Sequence, residues 1–215
     1  MIEILTKTLE VFKQIDKTNL LDVRVDDILF EEQSKILKQA QAALESFSSL
    51  LKVFEKTEFT KLNVERFFGY IYSDLMGFAD CVTRIDELLL HISGITATTN
   101  QQQTGITNTR NIDLELVSQL LKTLEIFRKI NNSTVVIEKL PDDLFEIQAK
   151  KINDFQEKLK AYNAMLEQFL QVEQTKKTMQ EFLSKAHDAL MSFIEYFYQF
   201  NELLVDVLRK VPASK

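Results

Sequence analysis

Two histidines, His91 and His187, are the residues of this chain with the strongest potential to hold a metal ion. A di-iron carboxylate bundle uses Glu-x-x-His motifs that project inward from its helices, but the residues three positions before the histidines are Leu88 and Ser184. Glu87 stands one helical turn before His91, and a metal site needs at least three protein ligands. We therefore predict no metal site.

The other candidates for chemistry are Cys81 and the adjacent residues His187 and Asp188. Cys81 lies in an apolar segment with no recognisable base to activate a thiol, which favours a buried structural cysteine. We interpret His187 and Asp188 as a helix-surface pair. The sequence has no Gly-x-Ser-x-Gly, Walker or dinucleotide-binding glycine motif. We expect no catalytic or cofactor-binding residue, and hence a protein that is not an enzyme.

Composition predicts a helical protein that does not bind nucleic acid. The 215 residues are 45% apolar and 27% charged, with only 4 Gly and 2 Pro, which argues against β-sandwiches and glycine-rich nucleotide-binding folds. A net charge of −6 without a dense basic run argues against a phosphate backbone as partner. Because there is a single cysteine, no apolar run long enough for a membrane span and no signal-peptide pattern, we expect a cytoplasmic protein.

The chain contains an internal repeat with an offset of 115 residues. Residues 5–89 align with residues 120–204 without a gap, and about 27 of about 85 pairs are identical, where composition alone gives about one in fifteen to twenty. A gapless alignment of this length indicates two copies of one tertiary unit, because loops would otherwise tolerate insertions. We predict repeats at residues 1–93 and 112–210, joined by a polar, flexible linker at 94–111.

Each copy divides into one short and two long helices. Apolar residues at helical spacing predict a short helix at about 2–16 and 114–130, and long helices that end near residues 56 and 92 in the first copy and 171 and 208 in the second. The segments 19–25 and 134–140 are rich in β-branched residues and predict extended crossovers. Acids at Asp26 and Asp142 suit helix N-termini, and Thr60 and Thr175 are predicted N-caps.

The fold class is therefore all-α, a tandem duplication of a three-helix unit. One copy alone is a lopsided bundle, so we expect the two copies to pack about a pseudo-twofold axis into one helical bundle; two independent three-helix bundles are the alternative. The last helix of each copy is apolar nearly all round, which favours burial on several sides. Gly69 and Gly77, with Ser184 and Ser192 at the matching positions, predict a close helix crossing.

Aromatic side chains in these last helices form the candidate functional surface. As a surface for an apolar partner or ligand we single out five residues: Phe68, Tyr72, Tyr196, Tyr198 and Phe200. Burial in the core and in the interface between the copies is the alternative interpretation. Tyrosine is informative here, because a phenol in an apolar wall requires a hydrogen-bond partner for its hydroxyl.

Three functions are compatible with the sequence. The leading one is a non-enzymatic protein-interaction module, acting as an adaptor, a chaperone-like protein or a regulator through its helix faces. The alternative is a bundle that binds a small hydrophobic ligand or lipid among the aromatic residues. The third is an enzyme built on carboxylates between helices. The tandem helix triplets of this chain resemble those of phosphate-uptake regulators. The repeated acidic metal motifs of those proteins are missing here, so we assign no family.

Overall fold

A computed structural model of the chain describes residues 1–18, 24–94 and 115–211. These residues form six α-helices and no strand, which confirms the all-α class. The helices are α1 (Ile2–Lys17), α2 (Asp27–Phe54), α3 (Lys61–Ser93), α4 (Glu115–Asn132), α5 (Asp142–Phe169) and α6 (Lys176–Arg209). Of the predicted linker at 94–111, only Gly94 lies within the described residues; it ends α3 in the left-handed conformation, with φ of 64°.

The long helices begin where the sequence predicts. The hydroxyl of Thr60 accepts a hydrogen bond from the backbone N–H of Asn63 at 3.3 Å, and Thr175 accepts one from Thr178 at 3.2 Å. Both threonines are therefore confirmed as N-caps. The carboxylate of Asp26 caps α2 in the same way. Each cap satisfies one of the backbone donors that the first turn of a helix leaves open.

Helices α3 and α6 pack against each other at the centre of the bundle. Phe78 of α3 and Phe197 of α6 lie with their ring centroids 6.1 Å apart, and both are buried. Helices α1 and α2 cover α3, and α4 and α5 cover α6. All six helices contribute side chains to a single core of buried hydrophobic residues. Residues from both predicted repeats therefore share one core in this structure, unlike the alternative of two independent bundles.

Two buried hydrogen bonds join helices that are distant in sequence. The hydroxyls of Thr8 in α1 and Tyr162 in α5 are hydrogen-bonded at 3.1 Å. The side-chain amide of Gln119 in α4 donates to the backbone carbonyl of Leu44 in α2 at 3.2 Å. Buried polar groups require such partners because losing water without a replacement costs about 1–3 kcal/mol. These contacts therefore restrict how α1 meets α5 and how α4 meets α2.

The connection before α5 contains turns and irregular backbone, where the β-branched pattern had predicted an extended crossover at 134–140. It is held by the buried side chain of Asn131, whose amide nitrogen donates to the carbonyl of Leu140 at 3.1 Å while its amide oxygen accepts from the N–H of the same residue at 2.8 Å. Local hydrogen bonds of this kind compete with regular secondary structure. The corresponding residues 19–23 lie outside the described part of the chain.

The prediction of a close helix crossing at Gly69 and Gly77 is wrong. A Cβ atom added at either glycine would have no atom of a packing neighbour within 4 Å. Both glycines lie on the solvent-exposed side of α3, which also carries Asp80 and Arg84, joined by an ion pair of 2.9 Å. The small residue of α3 that is completely buried is Ala79. Helical spacing put the glycines on one face, but that face points to solvent.

Replacing Gly77 with alanine is therefore expected to stabilise the protein. Glycine inside a helix is less favourable than alanine by about 0.8–1.0 kcal/mol, and the structure leaves room for the methyl group. Gly77→Ala should raise the free energy of unfolding in urea by about 0.5–1 kcal/mol. Ala79→Leu is the contrasting variant, since overpacking a filled position costs about 1–3 kcal/mol. A Gly77→Ala variant less stable than the parent would contradict this assignment.

Candidate functional site

The five aromatic residues singled out in the sequence occupy two environments. Phe68 and Phe200 are completely buried, and both contact the ring of Phe127, with centroid distances of 5.0 and 5.9 Å. Tyr196 is 7% exposed and stacks on Phe155 at 4.3 Å. These three residues belong to the core. They are enclosed by neighbouring aromatic rings, whose edge-to-face and offset contacts stabilise such clusters.

Tyr196 carries a hydroxyl for which the structure provides no partner among the described residues. Burial raises the pKa of this phenol above its ordinary value, so the hydroxyl stays protonated at neutral pH. The expectation that a tyrosine in an apolar wall finds a hydrogen-bond partner is not met here. By contrast, the buried Tyr162 is hydrogen-bonded to Thr8.

Tyr72 and Tyr198 are on the surface and line the same groove. Tyr72 projects from α3 with 46% of its surface exposed, and Tyr198 projects from α6 with 49% exposed. The groove has a volume of about 450 Å³, within the range of ordinary ligand sites. We call it the tyrosine groove, lined by Tyr72, Met76, Tyr198, Asn201, Glu202, Val205, Asp206 and Arg209.

The tyrosine groove has apolar walls and an acidic side. Tyr72, Met76, Tyr198 and Val205 are the apolar and aromatic side chains among its lining residues. Glu202 is exposed and forms no ion pair with a described residue, whereas Asp206 pairs with Arg209 at 3.4 Å. One negative charge therefore remains uncompensated at the groove, in a chain whose net charge is −6.

Asn201 is a wall residue of the tyrosine groove that the sequence analysis did not single out. It is 4% exposed, and neither its amide oxygen nor its amide nitrogen has a hydrogen-bond partner among the described residues. A primary amide offers two donor hydrogens and an acceptor oxygen, and most buried side chains of this type find partners. Its signal in the sequence is a polar residue between the apolar positions Phe200 and Leu203, which periodicity alone does not distinguish from a surface residue.

A hydrogen bond between side chains joins α3 and α6. His187 of α6 does not form a surface pair with Asp188, as the sequence suggested; a hydrogen bond of 2.8 Å joins its Nδ1 to Oδ1 of Asp86 in α3. The side chain of Asp86 is only 7% exposed. Burial raises the pKa of Asp86, while the hydrogen bond to His187 opposes that shift.

Two further groups of α3 are perturbed by burial. Cys81 is a free, buried thiol, and burial raises its pKa to about 12, so it lacks the thiolate character of a nucleophile. Burial also raises the pKa of Asp74 to about 6, and no hydrogen bond joins this carboxyl to a described residue. Glu87 and His91 are both exposed.

Residues 1–18, 24–94 and 115–211 contain no group of three or more His, Cys, Asp or Glu residues arranged to hold a metal ion. In the same part of the chain, no helix combines the length and apolar character needed to cross a membrane. The sequence matches no protein-family model, no curated protein and no solved structure.

Removal of His187 is expected to destabilise the bundle, because Asp86 would remain buried without a partner. His187→Ala should lower the free energy of unfolding by about 1–3 kcal/mol, the cost of an unsatisfied buried polar group. Asp86→Asn keeps a group that can hydrogen-bond to the imidazole and should stay within about 1 kcal/mol of the parent. Urea unfolding of both variants checks this contrast, and equal losses in the two would contradict it.

Asp74 is expected to make stability depend on pH. The pKa of its carboxyl is about 6 in the folded protein and 3.8 without the fold, so the folded state binds the proton more tightly and stability falls as the pH rises from about 4 through 6. The free energy of unfolding of Asp74→Asn should match that of the parent near pH 4 and exceed it near pH 7.5. The difference should be about 1 kcal/mol, because solvent partly reaches this carboxyl.

Asp80→Asn is the matched control for this measurement. Asp80 lies on the same helix but is exposed and paired with Arg84, and exposed pairs contribute only about 0.2–1 kcal/mol. Thermal unfolding of both variants across this pH range checks the prediction. A stabilisation by Asp74→Asn that is equally large near pH 4 would contradict ionisation as its cause.

Proposed function

We propose that this protein is a non-enzymatic protein-interaction module, acting as an adaptor, chaperone-like protein or regulator, built from a duplicated three-helix unit with repeats at 1–93 and 112–210. The observation that carries the proposal is the tyrosine groove. Two half-exposed tyrosines from different helices flank it, and tyrosine is enriched at residues that dominate protein–protein binding energy. In this respect the groove differs from the aromatic centre of the bundle, whose rings are enclosed.

The helix bounds support the duplication. Helices α2 and α5 each have 28 residues and begin at Asp27 and Asp142, which are 115 positions apart. Lys61 and Lys176, the first residues of α3 and α6, have the same separation. The ring pair Phe54–Phe67 stacks at 4.0 Å, and the pair 115 positions later, Phe169–Phe182, stacks at 4.1 Å.

Reciprocal contacts between the halves favour a pseudo-twofold arrangement. Phe67 of the first half meets Phe127 of the second edge-to-face at 6.3 Å, and the exchanged pair, Phe182 of the second half with Phe12 of the first, does so at 6.5 Å. Helix α1 likewise packs on α5, and α4 packs on α2. Contacts in which each copy offers the same surface to the other are the property of a twofold interface.

Under this symmetry a second site in the bundle corresponds to the tyrosine groove, and a hydrogen bond bridges its two helices. The repeat offset of 115 relates Tyr72 to His187 and Asn201 to Asp86. His187 bonds to Asp86 at 2.8 Å, whereas Asn201 has no partner among the described residues and Tyr72 is half exposed. One of two equivalent places therefore holds an internal polar contact, and the other has a half-exposed tyrosine beside a buried amide that has no partner among the described residues.

The packed aromatic centre favours an interaction surface over the alternative of a hydrophobic-ligand cavity. Phe68, Phe200 and Phe127 are completely buried and contact one another through Phe127. A lipid or other apolar ligand in this region would have to displace side chains that already fill it, at the cost of their packing. A protein segment in the tyrosine groove would displace no core residue.

Affinity capture with matched tyrosine variants tests the proposal. Tyr72→Ala and Tyr198→Ala remove groove side chains, while Tyr70→Ala removes a tyrosine of α3 that is more exposed, at 60%, and is not part of the groove. A partner that uses the groove should bind the first two variants at least about tenfold more weakly, as expected for interface tyrosines, and should bind Tyr70→Ala normally.

Circular dichroism melting of the three variants verifies that they are folded. Partners that bind all of the variants with equal affinity would place the interaction elsewhere and refute the groove as the binding surface.

A further inference from the structure

We infer that the exposed seam between α3 and α6 binds a basic, amphipathic α-helix of a partner protein, which lies along these two helices as a third. This inference rests on the proposed function and deepens it by stating the conformation and the charge of the partner segment. We define the seam by Tyr72 and Met76 of α3 and by Met191, Tyr198 and Val205 of α6. It includes the apolar residues of the tyrosine groove and extends beyond them to Met191.

The apolar residues of the seam recur on α6 at every seventh position. Met191 is 46% exposed, Tyr198 is 49% exposed and Val205 is partly buried. Residues seven apart lie nearly on one line along a helix, two turns from each other. The hydrogen bond between His187 and Asp86 joins α6 to α3 one turn before Met191, so Met191 borders α3 as Tyr198 does. At 1.5 Å per residue, the row from Met191 to Val205 is about 21 Å long.

A row of acids runs beside the apolar row of α6. Asp188, Glu195 and Glu202 each come three positions before an apolar residue of the seam and repeat at the same spacing of seven. Residues three apart on a helix are neighbours on its surface. All three acids are exposed, and none forms an ion pair with a described residue; Glu195 accepts a hydrogen bond from the neutral amide of Gln199 at 2.9 Å. Three carboxylates that lack an ion-pair partner among the described residues therefore border the seam.

This charge favours a basic partner segment over a second copy of the chain. Two copies that met through the same seam would bring their acidic rows to one interface, because a twofold interface uses the same surface of both copies. Like charges brought together in an interface are unfavourable. A segment with Lys or Arg beside its apolar residues would instead pair with the carboxylates while its apolar side chains cover the seam.

The architecture favours a helical segment over an extended one. Extended peptides gain backbone hydrogen bonds by adding a strand to the edge of a sheet, and residues 1–18, 24–94 and 115–211 form helices and no strand. A helix satisfies its own backbone groups, and its side chains recur with the period that the seam shows. Amphipathic helices bind to apolar grooves in this way. A row about 21 Å long matches about 14 residues of helix.

The test uses a displayed library of helical peptides of about 18 residues, selected on the full-length protein. The library places varied apolar residues at the a and d positions of heptads and varies Lys, Glu and Gln at the flanking positions. We expect the selected peptides to be enriched in Lys at the flanks. Failure to select any peptide, or enrichment in Glu or Gln, would overturn the inference.

Two derivatives of a selected peptide test its conformation. A central proline breaks the helix, and a permuted sequence of the same composition lacks an apolar face. Both derivatives should bind at least about tenfold more weakly than the selected peptide in fluorescence anisotropy. Equal binding of the proline derivative would show that the bound segment is not a helix and would contradict the inference.

Matched double variants of the protein test the acidic row. Glu195→Gln combined with Glu202→Gln should weaken peptide binding several-fold, and the loss should shrink as salt is added. Glu31→Gln combined with Glu45→Gln removes two exposed acids of α2, away from the seam, and changes the net charge equally. This control should bind within about twofold of the parent. Equal losses in the two double variants would assign the attraction to overall charge and overturn the role of the row.

Met191→Ala distinguishes a helix along the whole seam from a short segment in the tyrosine groove, because Met191 does not line that groove. Binding should weaken at least about fivefold, as for a central apolar residue of an interface. Ile147→Ala is the control, since it shortens a side chain of α5 that is 49% exposed, and it should bind within about twofold of the parent. Circular dichroism melting verifies that both variants are folded.

The outcomes separate this inference from the proposed function. Partner binding that depends on Tyr72 and Tyr198 but is indifferent to Met191→Ala overturns the helix along the seam and leaves the interaction module standing. A dimer in sedimentation equilibrium that Met191→Ala dissociates would assign the seam to a second copy and overturn the inference. Partner binding that is indifferent to Tyr72→Ala and Tyr198→Ala overturns the proposed function as well.

Discussion

The packing of α3 against α6 is the interaction on which the rest of the structure depends. Each of these helices has an apolar face too wide for one neighbour to cover, so each meets the other and is also covered by two further helices. Fully burying one large apolar side chain contributes about 1.5–3 kcal/mol, and the buried rings of Phe78 and Phe197 meet in this contact. The outer helices pack on the apolar surface of α3 and α6 that remains uncovered by the contact between these two helices.

The same interface encloses several polar groups. A long contact between two helices inevitably encloses some polar positions, and each must be satisfied or leave a cost in the folded state. At one place Asp86 meets His187, which stabilises the buried carboxyl. At the related place Asn201 is enclosed beside Tyr72 without a partner.

Much of the fold was predictable from the sequence because it depends on local spacing. Apolar periodicity located the helices, and the N-caps Thr60 and Thr175 were identified from the hydrogen bond that a threonine hydroxyl can make to the first turn. The prediction of a close crossing at Gly77 failed for a physical reason. Spacing shows which residues share a face of a helix, but whether that face meets another helix depends on how the helix is rotated in the bundle.

The candidate site depends on tertiary contacts that local spacing does not specify. Composition and periodicity by themselves determined an all-α chain, the helix starts, and a list of aromatic residues suited to burial or binding. Only the tertiary structure enclosed Phe68 and Phe200, exposed Tyr72 and Tyr198, and brought His187 to Asp86, which is 101 positions away. The rotation and register of α3 against α6 decide these outcomes. That register is a property of the whole core, because every helix that packs on the pair contributes to the free energy that fixes it.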